Sequence, residues 1–288
     1  MPVQHHIRNP FELGVENATD AIRAIFRPHP RHAAIAEAPP QVRRLTAHDV
    51  WQSLREGLGD LGAYRSDILF IGIIYPLAGL ILAEVAYGKN LIPMVFPLAS
   101  GFALIGPVAA LGLYEISLRR EQGQEVRWQD AFGVFRAPGF PAIVRLSLAM
   151  VALFAVWMGV AYQIYMMTIG SNEPRSIQAF LDATFYTPGG WTMIGVGCAV
   201  GFVFAAVAFA ISAVSFPLLL EHDVSVRSAV QTSVDVVRAN PAVMALWGMI
   251  IAGSLILGSL PVLAGLIVVV PLLGHATWRL YRRAVTYE

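Results

Sequence analysis

The chain has 288 residues, of which 56% are hydrophobic and only 14% charged, with a formal net charge of +1. A soluble domain carries about 25% charged residues, and one this apolar would expose aggregating patches, so the surplus calls for lipid as solvent. The small net charge gives no case for a nucleic-acid partner, and the lone cysteine, Cys198, excludes a disulfide framework and cysteine-based zinc or iron–sulfur sites.

Residues 1–45 read as a polar cytoplasmic tail. Met1 to Pro30 holds no apolar h-region, so the first long apolar run, from Ile68, is expected to act as an uncleaved signal anchor. Phe11, Val15, Ile22, Ile25 and Phe26 fall near helical spacing, which would lay part of the tail on a membrane or a partner. Arg27-Pro28-His29-Pro30 and Pro39-Pro40 interrupt any helix there. His5, His6, His29 and His32 read as solvated tail rather than a metal site.

From residue 46 the chain reads as three units, each an amphipathic segment followed by a helical hairpin. A spanning helix needs about 20 mostly apolar residues. The spans are placed at 68–87, 91–118, 142–169, 191–220, 242–257 and 261–278. The last two come from one stretch, Ala242 to about Trp278, broken at Gly258-Ser259-Leu260-Pro261, with Ser259 as N-cap and Pro261 in the first turn. Arginine placement agrees. Arg55 and Arg65 precede the first span. Arg119, Arg120, Arg127, Arg136 and Arg145 separate the second and third. Arg227 and Arg238 separate the fourth and fifth, and Arg279, Arg282 and Arg283 follow the sixth. The other side holds only Lys89 and Arg175. Both termini are therefore expected on the cytoplasmic side of the inner membrane.

The first amphipathic segment opens on a capping box, Thr46 with Asp49, and shows Val50, Trp51, Leu54, Leu58 and Leu61 on one face. The second shows Val126, Trp128, Ala131, Phe132 and Phe135, and ends at Arg136-Ala137-Pro138. The third is capped by Ser225, shows Val226, Ala229, Val230, Ser233, Val234 and Val237, and ends at Arg238-Ala239-Asn240-Pro241. Each is expected to lie in the membrane interface, apolar face down.

Pro76, Pro93, Pro97, Pro107, Pro217 and Pro271 read as kinks, or as broken helices around a transport site. Gly197-x-x-x-Gly201 and Gly248-x-x-x-Ala252 allow close helix packing within the monomer. Cys198 reads as a small core residue, and Glu84 as an acid snorkelling to the outer surface. The candidate polar cluster is Glu115, Glu221, His222, Asp223 and His275, at the inner ends of the second, fourth and sixth spans. Acids in the last turn of a helix oppose its dipole and need a partner. Two readings stand open: pairing with arginines such as Arg119, Arg120, Arg227 or Arg279, or a shared polar site where Glu115, Glu221 and His275 converge. Haem is not supported, since only His222 and His275 lie near the membrane and both sit at helix ends. No cofactor or metal is expected. No nucleophile elbow, P-loop, dinucleotide fingerprint or HExxH motif is present, which argues against a well-known enzyme class.

Four segments carry a family resemblance. They are Leu54-Arg55-x-Gly57-x-x-Asp60-Leu61, Phe102 to Pro107 running on to Gly112-Leu113-Tyr114-Glu115, Ser215 to Leu220 with Asp223-Val224, and Gly274-His275-Ala276-Thr277-Trp278 on to Arg283. Over residues 45–285 the chain resembles the integral membrane family called Domain of Unknown Function 2189. The resemblance implies a bacterial inner-membrane protein and brings no activity with it. Some members appear under the label cytochrome c oxidase subunit I, but that subunit needs about twice as many spans and several intramembrane histidines. The expectation is an all-α, six-span scaffold or assembly partner of another membrane complex. A small transporter or channel with a polar cytoplasmic mouth is the alternative, and a membrane enzyme is less favoured. The expected partners are the lipid bilayer and another membrane protein.

Overall fold

A computed structural model describes residues 40–63, 92–169 and 176–287, together with Leu80. Residues 1–39 of the tail, the 68–87 span apart from Leu80, Glu84 and the side chain of Trp128 lie outside the described residues. In chain order the elements begin with a short strand β1 (Gln41–Val42) and helix α1 (Ala47–Ala63). A broken run follows: a 3-10 turn (Ile92–Met94), α2 (Val95–Phe102), a second 3-10 turn (Ala103–Ile105), α3 (Gly106–Ala109) and α4 (Leu111–Glu121). A 3-10 segment (Trp128–Arg136) leads to α5 (Phe140–Thr168), α6 (Ile177–Phe185), α7 (Pro188–Ser212) and α8 (Ser215–Glu221). The chain then forms α9 (Val226–Ala239), α10 (Pro241–Ser259), α11 (Leu266–Ala284) and β2 (Val285–Thr286).

The helix starts follow their local chemistry. The backbone N–H of Thr46 donates to the Asp49 carboxylate at 2.7 Å and the Asp49 N–H donates to the Thr46 hydroxyl at 3.3 Å, the reciprocal capping box expected. Ser225 accepts from the Ser228 N–H at 3.1 Å and opens α9. The 91–118 run, expected as one span, is broken at Ala103–Ile105 and again at Ala110, on either side of Pro107, which withholds a donor. Trp157 of α5 donates to the Pro97 carbonyl at 2.9 Å and ties the interrupted run to its neighbour. At the far turn the expected boundary is corrected. Ser259 is the last residue of α10 and bonds back to the Leu255 carbonyl, so it caps nothing. The chain turns through Leu260–Gly265, with Val262 and Leu263 in the left-handed region, and α11 starts at Leu266 rather than 261. Gly265 lies against the Gly258 backbone, too close for a side chain.

Three described helices are long and apolar enough to cross a membrane: Phe140–Thr168, the α7–α8 run Pro188–Glu221, and Pro241–Ser259. Their apolar side chains point largely outward, including Leu148 and Val156 on α5, Phe202 and Val203 on α7, and Met249 and Ile256 on α10. An apolar exterior of this kind suits hydrocarbon. Cys198 is likewise exposed, which corrects its reading as a core residue; on a lipid-facing helix apolar surroundings do not mean burial. Of the glycine pair on α7, Gly201 lies against the Trp157 ring and Gly197 meets open space.

The packed interior sits toward one end of the bundle. Phe216, Leu218, Leu219 and Leu220 of α8, Trp278 and Tyr281 of α11, and Leu113 of α4 are all buried there. β1 and β2 pair antiparallel, Gln41 with Thr286 and Val42 with Val285. The following strap, Arg43 to Leu45, crosses the end of α9. The strap is held by Asn240, whose side-chain oxygen accepts from the Leu45 N–H at 2.7 Å while its amide donates to the Arg43 and Val236 carbonyls at 3.1 Å. The Arg44 guanidinium donates to the Ala239 carbonyl.

The third amphipathic segment departs from the expected placement. Ala229, Thr232, Ser233 and Val236 of α9 are buried against protein, with Ser233 accepting from the Val214 N–H at the α7–α8 break. The other two do show apolar side chains outward: Trp51 and Leu58 of α1, and Phe132 and Phe135 of the 3-10 segment.

Candidate functional site, a charged latch at one end of the bundle

Parts of all four segments that carried the resemblance meet at this end, the second through Leu113. α1 lies along the C-terminal half of α11, and the stripe Val50, Ser53, Gly57 and Asp60 faces it. That spacing of three and four residues defines one helix face. Gly57 is needed because a Cβ there would stand 2.8 Å from the Ala276 backbone nitrogen. Gly274 admits Leu113 of α4 in the same way, and Gly139 admits the Leu219 carbonyl of α8.

Asp60 is the buried centre, only 4% exposed. Arg279 grips its carboxylate from Nε at 3.1 Å and Nη2 at 3.0 Å, and Arg120 of α4 approaches to 2.6 Å. Buried carboxylates persist only when paired and hydrogen-bonded, and two guanidinium groups meet both demands. One turn earlier, Glu56 takes Arg283 at 2.6 Å, and the same arginine reaches the Ser53 hydroxyl at 3.2 Å.

Arg282 resolves a second problem. Glu121 ends α4 and Glu221 ends α8, where each carboxylate opposes its helix dipole. Arg282 Nε meets Glu121 at 3.0 Å and its Nη1 meets Glu221 at 2.8 Å, so one cation bridges two unfavourable helix ends. Tyr281 donates to Glu221 at 2.8 Å and Trp278 donates to Glu121 at 3.1 Å. Burial, followed by the nearby Glu221 charge, pushes the Tyr281 phenol above its ordinary range. The acids Glu56, Asp60, Glu121 and Glu221 thus face the arginines Arg120, Arg279, Arg282 and Arg283, and the latch is balanced in charge.

The residues singled out from sequence fall into three places. Glu115 points to the 3-10 segment, pairing with Arg119 Nε at 2.7 Å, and Arg119 in turn holds Asp130 at 3.0 Å. Gly133 leaves the room that the Glu115 carboxylate fills. His275, 1% exposed, shares a 2.7 Å hydrogen bond between its Nδ1 and the Ser117 hydroxyl. Ser117 and Glu115 are two residues apart, about 200° around the helix, so their partners lie on opposite sides of α4. Glu221 sits in the Arg282 grip, with His222 Nε2 3.5 Å away and the His222 ring stacked on Tyr287 at 4.0 Å. Asp223 is exposed just beyond α8.

Ser117 and His275 resemble a nucleophile and its base in type only. Ser117 is 0% exposed, so no substrate can reach its hydroxyl. Among the described residues no group of three or more His, Cys, Asp or Glu side chains is placed to hold a metal ion. Sequence reading missed Asp60, Glu56, Ser117, Glu121 and Tyr281 as members of a site. The usable signal was on α1, where Ser53, Gly57 and Asp60 form a small and polar stripe beside the apolar one.

These features define an integral membrane protein: apolar helices exposed along their length, and a polar end closed by its own ion pairs. The family model described as a predicted integral membrane protein, DUF2189, matches residues 95–221, the stretch from α2 to the end of α8. That stretch holds the second resemblance segment and Ser215 to Leu220 of the third; the first and fourth lie beyond it. No curated protein and no solved structure matches the chain.

Proposed function

We propose that the protein is a six-span, inner-membrane, non-enzymatic scaffold or assembly partner of another membrane complex, with both termini cytoplasmic and the latch as its cytoplasmic cap. The observation that carries this reading is the charge-balanced latch, whose four acids are each engaged by arginines of the same chain. A transport or catalytic site needs groups free to exchange a ligand or a proton, and these are committed to one another. Six crossings are supported by the company the helix ends keep. The ends of α4, α8 and α11 and the starts of α5 and α10 lie near one end with α1, so the stretches from α5 to α8 and from α10 to α11 each leave and return, and the apolar run before α4 would supply the third pair. The arginines of that end favour the cytoplasm.

The competing reading is a small transporter or channel. The interruptions between α2 and α4 favour it, since broken helices often frame transport sites. Glu221→Gln and Glu115→Gln separate the two. The scaffold reading expects lower thermal stability in detergent and no response to pH or cations that the parent lacks. Near-normal stability with loss of a pH or cation response would overturn it. For topology, a periplasm-dependent reporter joined after Glu288 is expected to be inactive and a cytoplasm-dependent one active.

A further inference from the structure

We propose that the cleft between the 3-10 segment, α4 and α5 holds one phospholipid with an anionic headgroup, its phosphate at Arg136 and one acyl chain in the adjoining groove. The cleft has two parts that share Phe132 and Phe135. A polar pocket of about 300 Å³ is lined by Arg119, Gln129, Asp130 and Arg136. An apolar groove of about 480 Å³ runs away from it, with Val108 and Gly112 on one wall and Val144, Ser147 and Val151 on the other. Both volumes are of ligand size.

Charge and length each point to the occupant. Arg119 is committed to Glu115 and Asp130, and Asp130 also takes the Arg127 N–H at 2.7 Å. Arg136 is exposed and has no acidic partner among the described residues, so it is the one guanidinium of the pocket lining that no carboxylate engages. An arginine fork suits phosphate oxygens. From Phe140 to Val151, α5 rises about 16 Å, close to the roughly 15 Å depth of half a hydrocarbon core. The groove therefore starts at the polar boundary beside Arg136 and reaches as deep as one leaflet. A soluble ligand would have no use for an apolar channel that opens sideways into lipid, whereas a two-part molecule with a charged head and a hydrocarbon tail fills both halves.

The test uses the full chain in dodecyl maltoside, exchanged into equal phosphatidylglycerol and phosphatidylcholine and examined by native mass spectrometry. One retained phosphatidylglycerol is expected, favoured about fivefold, the contribution of one arginine near a lipid surface. Arg136→Gln, at an exposed position that should not disturb folding, is expected to abolish the preference. Ser147→Trp fills the groove and is expected to expel the retained lipid. Equal retention of the two lipids, or an unchanged preference in Arg136→Gln, overturns the proposal.

Discussion

Arg279 and Asp60 stand 219 residues apart in the chain and meet in a bidentate contact at the buried centre of the latch, with Nε donating to Oδ2 at 3.1 Å and Nη2 to Oδ1 at 3.2 Å. Removing the acid leaves Arg279 and Arg120 facing each other across a buried space. Breaking one side of a buried pair costs about 3–5 kcal/mol. Asp60→Asn is therefore expected to lower the melting temperature in detergent by several degrees. A double-mutant cycle with Arg279→Gln should report a coupling of about 1 kcal/mol or more. Additive effects would mean that the contact contributes nothing.

Gly57 and Gly59 offer a matched pair on α1. A Cβ at 57 collides with the Ala276 backbone, whereas at 59 it meets nothing within 4 Å. Gly57→Ala should destabilise by about 1–3 kcal/mol through overpacking. Gly59→Ala should be neutral or stabilise by up to about 1 kcal/mol through helix propensity. Equal effects measured by thermal unfolding would place α1 off α11.

Asn240→Leu removes the acceptor for Leu45 and the donor for Arg43. The buried Leu45 N–H left without an acceptor costs about 1–3 kcal/mol. The strap is expected to loosen, and limited proteolysis should cleave before Ala47 at least several-fold faster while the remainder stays intact. Unchanged cleavage would show the strap held by other contacts.

The Tyr281 phenol has a raised pKa in the folded protein, through burial first and the Glu221 charge second. Its contribution to stability is therefore fully present below the unfolded value of about 10 and declines as pH rises beyond that value. Stability measured from pH 8 to 11 should fall over the upper part of that range. Tyr281→Phe should flatten that fall while lowering stability at pH 8, because Glu221 loses a donor. A wild-type profile no steeper than that of Tyr281→Phe would refute the assignment.

Trp51 is 63% exposed on α1, beside Leu58 and on the same end as Arg55. An exposed aromatic beside a cation is suited to the membrane interface. In a variant with Trp51 as the sole tryptophan, brominated lipid should quench its emission strongly and aqueous iodide weakly. The reverse order would put α1 clear of the bilayer.

What could be read from sequence divides along a physical line. Long apolar runs and caps are local, so α5, α7 and α10 and the Thr46 and Ser225 starts were legible from composition and spacing. The turn between α10 and α11 was misplaced because its left-handed Val262 and Leu263 carry no glycine signal, and only packing against Gly258 selects it. Asp60 went unread as a site because its partners lie on α4 and α11, far away in the chain. The acids at helix ends were visible as anomalies needing a cation. Arg282, which answers two of them, could be identified only once α4, α8 and α11 were side by side.

The pairing of β1 with β2, and of α1 with α11, has a consequence for biosynthesis. At about 5–20 residues per second, on the order of ten to forty seconds pass between synthesis of Asp60 and of Arg279. Throughout that interval α1 carries an acid and an exposed tryptophan with no docking surface, on a nascent chain already threading into the membrane. A lipid surface suits an exposed tryptophan beside a cation and would shelter α1 until α11 arrives. Latch closure therefore has to wait until α11 has been made and lies beside α1.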